Sequence, residues 1–232
     1  MAEKSQAFMD VFEDVEHAAA YADGPAKFMP GYHDVQRMAG VLIRESAPKN
    51  ARVLVHGAGG GAELEVFARE NPLWTLLGVE PAKPMLDAAR ERLGDLNARV
   101  QFHHGYIEDA PPGPFDAATS LLTLHFLNAV ERQNALSELV RRLVPGSPVV
   151  VAHCSFPQGV EHRDTWLARH QAFSTASGVD PDVAENGRNF IANRLEVLDP
   201  ETDEKIMGEA GLRDVTQFYS AFTWRGWIGH VS

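Results

Sequence analysis

The chain has one cysteine, Cys154, no long apolar run and no cluster of basic residues. A single thiol excludes an intrachain disulfide and suits a reducing compartment. No stretch approaches the roughly 18 apolar residues that would span a bilayer, and Met1 to Asp10, with Glu3, Lys4 and Asp10, lacks the apolar block of a signal peptide. Basic charge is the third shortage: 21 Lys and Arg face 32 Asp and Glu over 232 residues, a formal net charge of −11. Phosphate backbones are held by clustered Lys and Arg, so no nucleic-acid partner is expected. The composition describes a cytoplasmic protein with no membrane partner, and its 44% hydrophobic content is enough to build a packed core.

What the chain does contain is an alternating pattern. Before Ala51, Phe8, Val11, Phe12 and Val15 share one helical face and Val35, Met38, Ala39 and Leu42 another, with the Phe28-Met29-Pro30-Gly31-Tyr32 loop between them. Residues 1–50 thus read as an N-terminal helical cap. From Ala51, β-branched runs at Val53–Val55, Leu76–Val79, Val100–His103, Phe115–Leu122 and Pro148–Ala152 are separated by helical stretches at Ala62–Arg69, Met85–Leu93 and Ala129–Leu143. Strands joined by helical crossovers form a parallel sheet covered on both faces. Two last runs, Leu212–Tyr219 and Phe222–Ile228, follow a helix over Asp203–Ala210 that stops at Gly211, and are close enough to pair as an antiparallel hairpin. The expected fold is a doubly wound α/β domain over 51–232, with a mostly parallel seven-stranded sheet and a C-terminal antiparallel hairpin. Between about 156 and 198 the alternation stops, and this stretch reads as a helical insertion placed to form a lid.

The most specific local signal is Val53-Leu54-Val55-His56-Gly57-Ala58-Gly59-Gly60-Gly61, a strand running into a glycine-rich turn and then a helix. Such a turn lets a ligand approach the backbone closely. Glu80 ends the next strand, at the position where a carboxylate accepts both hydroxyls of a ribose. The turn lacks the Lys-Ser/Thr ending of a phosphate cradle, and Glu63 at the following helix start would repel a pyrophosphate. A nucleoside without phosphates fits better.

With that loop, Glu80-Pro81, Pro84-Met85-Leu86, Gly105-Tyr106-Ile107-Glu108-Asp109, Phe115-Asp116-Ala117 and Ala210-Gly211-Leu212, the chain resembles the class I S-adenosylmethionine-dependent methyltransferases. The resemblance implies S-adenosylmethionine as cofactor, S-adenosylhomocysteine as product and transfer of a methyl group to a small-molecule acceptor. It implies a cofactor site of Gly57, Ala58 and Gly59 around the methionine and ribose, Glu80 and Pro81 at the ribose, and Tyr106, Ile107, Glu108 and Met85 around adenine, with Leu121 at the fourth strand end. Two positions depart from the family pattern: Val55 replaces the usual acid two residues before the first loop glycine, and Tyr106 replaces the usual aspartate after Gly105. Phe28-Met29-Pro30-Gly31-Tyr32, Leu121-Leu122-Thr123-Leu124-His125-Phe126-Leu127 and Phe222 with Gly226-Trp227 look like the carboxy-S-adenosylmethionine synthase branch, which transfers a carboxyl group to the cofactor and holds the carboxylate with an arginine in the insertion. That comparison adds Tyr32 to the cofactor site and points to Arg188 or Arg194 as the carboxylate ligand. A non-catalytic nucleoside-binding dimeric module is the third reading.

Methyl transfer needs a base only if the acceptor must lose a proton. His125 and His153 lie at strand ends, where open α/β sheets bind ligands, and are the candidate bases, with packing roles as their alternative. Trp166, Arg188 and Arg194 in the insertion suit either a planar or carboxylate-bearing substrate or a homodimer contact. No metal site is expected among the ten histidines: His103 and His104 point to opposite sides of a strand, and His162 and His170 have no companion ligands.

Overall fold

The computed structural model describes residues 25–232. The first helical face, at Phe8 to Val15, and residues 1–24 of the expected cap therefore lie outside the described residues. The described chain begins with helix α1 (Pro25–Phe28) and α2 (Tyr32–Ser46). The core alternates β1 (Arg52–His56), α3 (Ala62–Glu70), β2 (Thr75–Glu80), α4 (Lys83–Leu93), β3 (Val100–His104), β4 (Ala117–Leu121), α5 (Ala129–Val140) and β5 (Pro148–Cys154). Two helices, α6 (Val160–Ala176) and α7 (Pro181–Arg194), fill the insertion, and α8 (Pro200–Glu209), β6 (Leu212–Ala221) and β7 (Trp224–Val231) complete the chain.

The strands form one seven-stranded sheet in the order β3-β2-β1-β4-β5-β7-β6. The first five are parallel, and β7 pairs antiparallel with both β5 and β6. This is the doubly wound, mostly parallel sheet that the alternation predicts. Alternate residues of β1 serve opposite faces: Val53 and Val55 pack with α2 and α3, whereas Leu54 packs with α5 and α8. β5 is buried along its whole length, which is why its sequence is a run of apolar residues without alternation.

Several local details differ from expectation, most by two or three residues at element ends. The fourth strand starts at Ala117 rather than Phe115, because Phe115 leaves the ladder to form a single bridge with Leu143. Helix α5 ends at Val140, short of Leu143, and its start is fixed by a capping box between Asn128 and Glu131. The insertion holds two helices, the second started by the Asp180 carboxylate on the N–H groups of Asp182 and Val183, with Pro181 in the first turn. Among the described residues no helix is long and apolar enough to cross a membrane.

A buried polar cluster ties the two halves of one sheet face. Arg132 on α5 pairs with Asp203 on α8 and donates to the carbonyls of Leu124 and Glu196. Burial would raise the Asp203 carboxyl, but His153 and Arg132 beside it outweigh that and hold it at about 2.

Candidate functional site

Strand order reverses between β1 and β4, with β2 and β3 on one side and β5 on the other. Crossovers leave that point in opposite directions, and a crevice opens at the carboxyl ends of the strands. A cavity lies there, walled by His56 of β1, the 57–60 loop, Glu80 and Pro81 after β2, Tyr106 and Ile107 after β3, and Leu121 to Thr123 after β4.

The glycine loop is shaped by its neighbours. A side chain on Gly57, at φ 73°, would put Cβ 2.0 Å from Thr123 Oγ1, and one on Gly61, at φ 80°, would meet Ala89 Cβ of α4 at 2.8 Å. These two glycines let the turn press against β4 and α4. The N–H groups of Gly57 and Ala58 both donate to the Val79 carbonyl, which locks the loop to β2.

Glu80 is buried at 8% exposure, and both its oxygens are held: Gly59 N–H donates to Oε2 and Ala82 N–H to Oε1, each at 3.0 Å. Each carboxylate oxygen has two lone pairs, so one on each remains to accept a further hydroxyl. Burial raises the Glu80 carboxyl above its ordinary range, against the two N–H groups that lower it. Met85 and Ile107, both buried, lie beside it and give the flat apolar walls an adenine requires. The residues present therefore fit an adenosine-type ligand.

The far end of the cavity is closed by the N-terminal segment. Met29, Tyr32, Val35 and Gln36 line it opposite Leu122, Phe126 and Leu127. The Tyr219 hydroxyl donates to the Pro30 carbonyl, Trp224 Nε1 donates to the Phe28 carbonyl at 3.1 Å, and His170 of α6 stacks on the Phe28 ring. The insertion thus braces the segment that closes the cavity.

The cavity brings together Tyr32, Gly57, Ala58, Gly59, Glu80, Pro81, Met85, Tyr106, Ile107 and Leu121. It does not include Glu108, whose side chain is exposed beyond the Ile107–Asp109 turn. His125 and His153, the candidate bases, also lie outside the lining, which corrects their placement. His125 is 3% exposed and its Nδ1 accepts the Cys154 N–H, while His153 points to the opposite sheet face with Nε2 3.1 Å from Asp203 Oδ2. Burial depresses both histidines below their ordinary range, so they are neutral and enclosed.

The expected substrate ligands are displaced too. Arg188 reaches Gln171 and Asp164 within the insertion, Arg194 is exposed, and Trp166 sits between the guanidinium groups of Arg169 and Arg225 at 4.6 and 5.1 Å. None of the three lines the cavity. Among the described residues the one Lys or Arg in its lining is Arg92, 3.4 Å from Glu65. No three His, Cys, Asp or Glu side chains among the described residues converge as metal ligands.

Glu63 and His56 complete the polar lining of the cavity. Glu63, treated above as a pyrophosphate-repelling charge at a helix start, is 6% exposed, lines the cavity and accepts the Thr119 hydroxyl. Burial raises its carboxyl to about 8, against that hydrogen bond. His56, the residue before the first loop glycine, shares a 3.0 Å contact with Ser120, and burial lowers it to about 4.

Residues 53–146 match the model of a methyltransferase domain. The carboxy-S-adenosyl-L-methionine synthase of Campylobacter lari is 25% identical over 91% of this chain and 89% of its own length. An uncharacterized methyltransferase of Geobacillus sp. (strain WCH70) is 27% identical over 94% of this chain and 95% of its own. Human N-acetylserotonin methyltransferase, solved with S-adenosylmethionine, superposes with a TM-score of 0.64 at 12% identity, covering 97% of this chain and 59% of that one. Phosphoethanolamine N-methyltransferase 2 of Haemonchus contortus, also solved with S-adenosylmethionine, gives a TM-score of 0.61 at 16% identity, covering 84% and 52%. The chain spans little more than half the length of these two solved proteins. Residues 53–146 are thus similar to a methyltransferase domain, and the fold around them is that of the S-adenosylmethionine-dependent methyltransferases on which the chain superposes.

Proposed function

We propose that the protein binds S-adenosylmethionine in this cavity and transfers its methyl group to a small, largely apolar acceptor. The observation that carries the reading is Glu80, pinned by Gly59 and Ala82 with one acceptor site left on each oxygen, which matches the paired hydroxyls of a ribose. Met85 and Ile107 flank the adenine, and the 57–60 loop runs along the ribose and methionine. The sulfonium supplies an activated methyl group with a neutral leaving group. Under that chemistry the protein's task is alignment and exclusion of water, and alignment alone is worth effective molarities on the order of 10⁵ to 10⁸ M.

Met29, Val35, Leu122, Phe126 and Leu127 form the acceptor end in this reading, with Tyr32 and Gln36 as its hydrogen-bonding groups. Neither His125 nor His153 takes a proton from the acceptor there, because both are enclosed elsewhere. A neutral acceptor suits this end of the cavity, since Glu80 and Glu63 lie on the cofactor side and Arg92, the one Lys or Arg of the lining among the described residues, is engaged by Glu65.

Carboxyl transfer to the cofactor is the second reading, favoured by the Campylobacter relative. It requires a cation for the transferred carboxylate, and Arg188 and Arg194 lie outside the cavity lining. Mass spectrometry of the ligand released from freshly purified protein separates the two. S-adenosylmethionine or S-adenosylhomocysteine is expected; a carboxylated cofactor would overturn methyl transfer. Stabilisation by neither in a thermal shift assay, well above micromolar, would sink both.

A further inference from the structure

The acid that the family places at the end of β1 is absent here, and Val55 stands in its position. Val55 and Thr119 are directly paired across β1 and β4, so their side chains share one face of the sheet. The Thr119 hydroxyl donates to Oε1 of Glu63, which reaches back from the first turn of α3. The Glu63 carboxyl therefore sits over the same patch of sheet that an acid at 55 would occupy, inside the cavity lining and 6% exposed. We propose that Glu63 is the anchor for the α-ammonium group of the cofactor's methionine part, an acid moved from the strand end to the helix that follows the glycine loop.

This rests on the S-adenosylmethionine reading. Buried acids are costly unless a cation faces them, and among the described residues no Lys or Arg is paired with Glu63. The titratable groups sharing the cavity with it are Tyr32 on α2, His56 on β1, Glu80 on β2, Tyr106 after β3 and Arg92 on α4. His56 is held neutral by burial, and Arg92 is turned to Glu65. A ligand cation is thus the partner the site lacks. With its carboxyl raised to about 8 in the empty cavity, Glu63 is protonated at neutral pH; the ammonium group favours the carboxylate, and the proton leaves to solvent as the ligand binds.

Calorimetric titration at pH 7 in two buffers of different ionisation enthalpy counts that proton. S-adenosylhomocysteine should release close to one proton more than 5′-methylthioadenosine, which shares the adenine, ribose and sulfur but has no amino acid. Glu63→Gln should remove the difference and weaken S-adenosylhomocysteine roughly 10- to 100-fold, the range for hydrogen bonds to charged groups, while the affinity for 5′-methylthioadenosine stays unchanged. Equal proton release for the two ligands in the wild-type protein overturns the proposal, and that measurement decides the matter even if Glu63→Gln does not fold. Unchanged affinity of Glu63→Gln for S-adenosylhomocysteine overturns it as well. If the wild-type protein binds neither ligand, the cofactor reading itself fails.

Discussion

Replacing Glu80 is the most informative perturbation of the cofactor site. Its carboxylate accepts the Gly59 and Ala82 N–H groups at 3.0 Å each, and the residue lines the cavity. In the proposed cofactor pose Glu80→Ala removes two hydrogen bonds to the ribose, each worth about 1.5–3 kcal/mol at a charged acceptor. The two act on one diol and are not fully additive, so the expected loss is about 2–4 kcal/mol, or roughly 30- to 1000-fold in Kd for S-adenosylhomocysteine. Glu80→Gln should do nearly as badly, because either orientation of the amide sets its NH2 group against a backbone donor, from Gly59 or from Ala82. Calorimetric titration measures both variants. Unlike Glu63→Gln, these changes should weaken 5′-methylthioadenosine as much as S-adenosylhomocysteine, since the ribose is common to both. A Kd within about threefold of wild type for Glu80→Ala would refute the ribose placement, because no single charged hydrogen bond is worth so little.

Three further outcomes follow from the geometry. The Glu63 carboxyl lies at about 8 in the folded chain against 4.5 as an unperturbed group, so the folded state keeps a proton the unfolded chain has lost. Ligand-free stability should therefore fall as pH rises from 4.5 towards 8, by at most about 5 kcal/mol, and Glu63→Gln should flatten that slope in urea melts at stepped pH; parallel slopes would contradict it. Asp203→Ala leaves the buried Arg132 guanidinium unpaired, and denaturant titration should show a loss of about 3–5 kcal/mol, whereas an unchanged midpoint would mean the pair carries no stability. Gly61→Ala drives a methyl group to 2.8 Å from Ala89 at φ 80° and should lower Tm by the equivalent of about 1–3 kcal/mol, with partial recovery in the Gly61→Ala, Ala89→Gly double variant; an unaltered Tm would refute the tight fit of loop and helix.

The convergence of the glycine turn and Glu80 on one cavity was legible because it is local. Strand, glycine turn and helix are consecutive in sequence, and Glu80 ends the neighbouring strand, so chain order alone brings them to one crevice. His125 and His153 share that position at strand ends, yet both are enclosed. A strand end has two faces, and which face a residue takes depends on register and on what packs above it. For His153 that is Asp203 on α8, fifty residues later in the chain. Arg188, Arg194 and Trp166 failed for a related reason: aromatic and basic composition marks an insertion as capable of contact but carries no information on the direction it faces.

The sequence by itself determined the alternation of strands and helices, the glycine turn, the acid at the end of the second strand and the absence of an acid at Val55. These rest on local periodicity and on single residues whose chemistry has few alternatives. Only the tertiary structure decided that the insertion braces the Phe28–Tyr32 segment rather than lining the cavity, and that Glu63 returns to the sheet beside Val55. Those outcomes depend on contacts between residues far apart in the chain, set by packing across the sheet and not by any pattern along it.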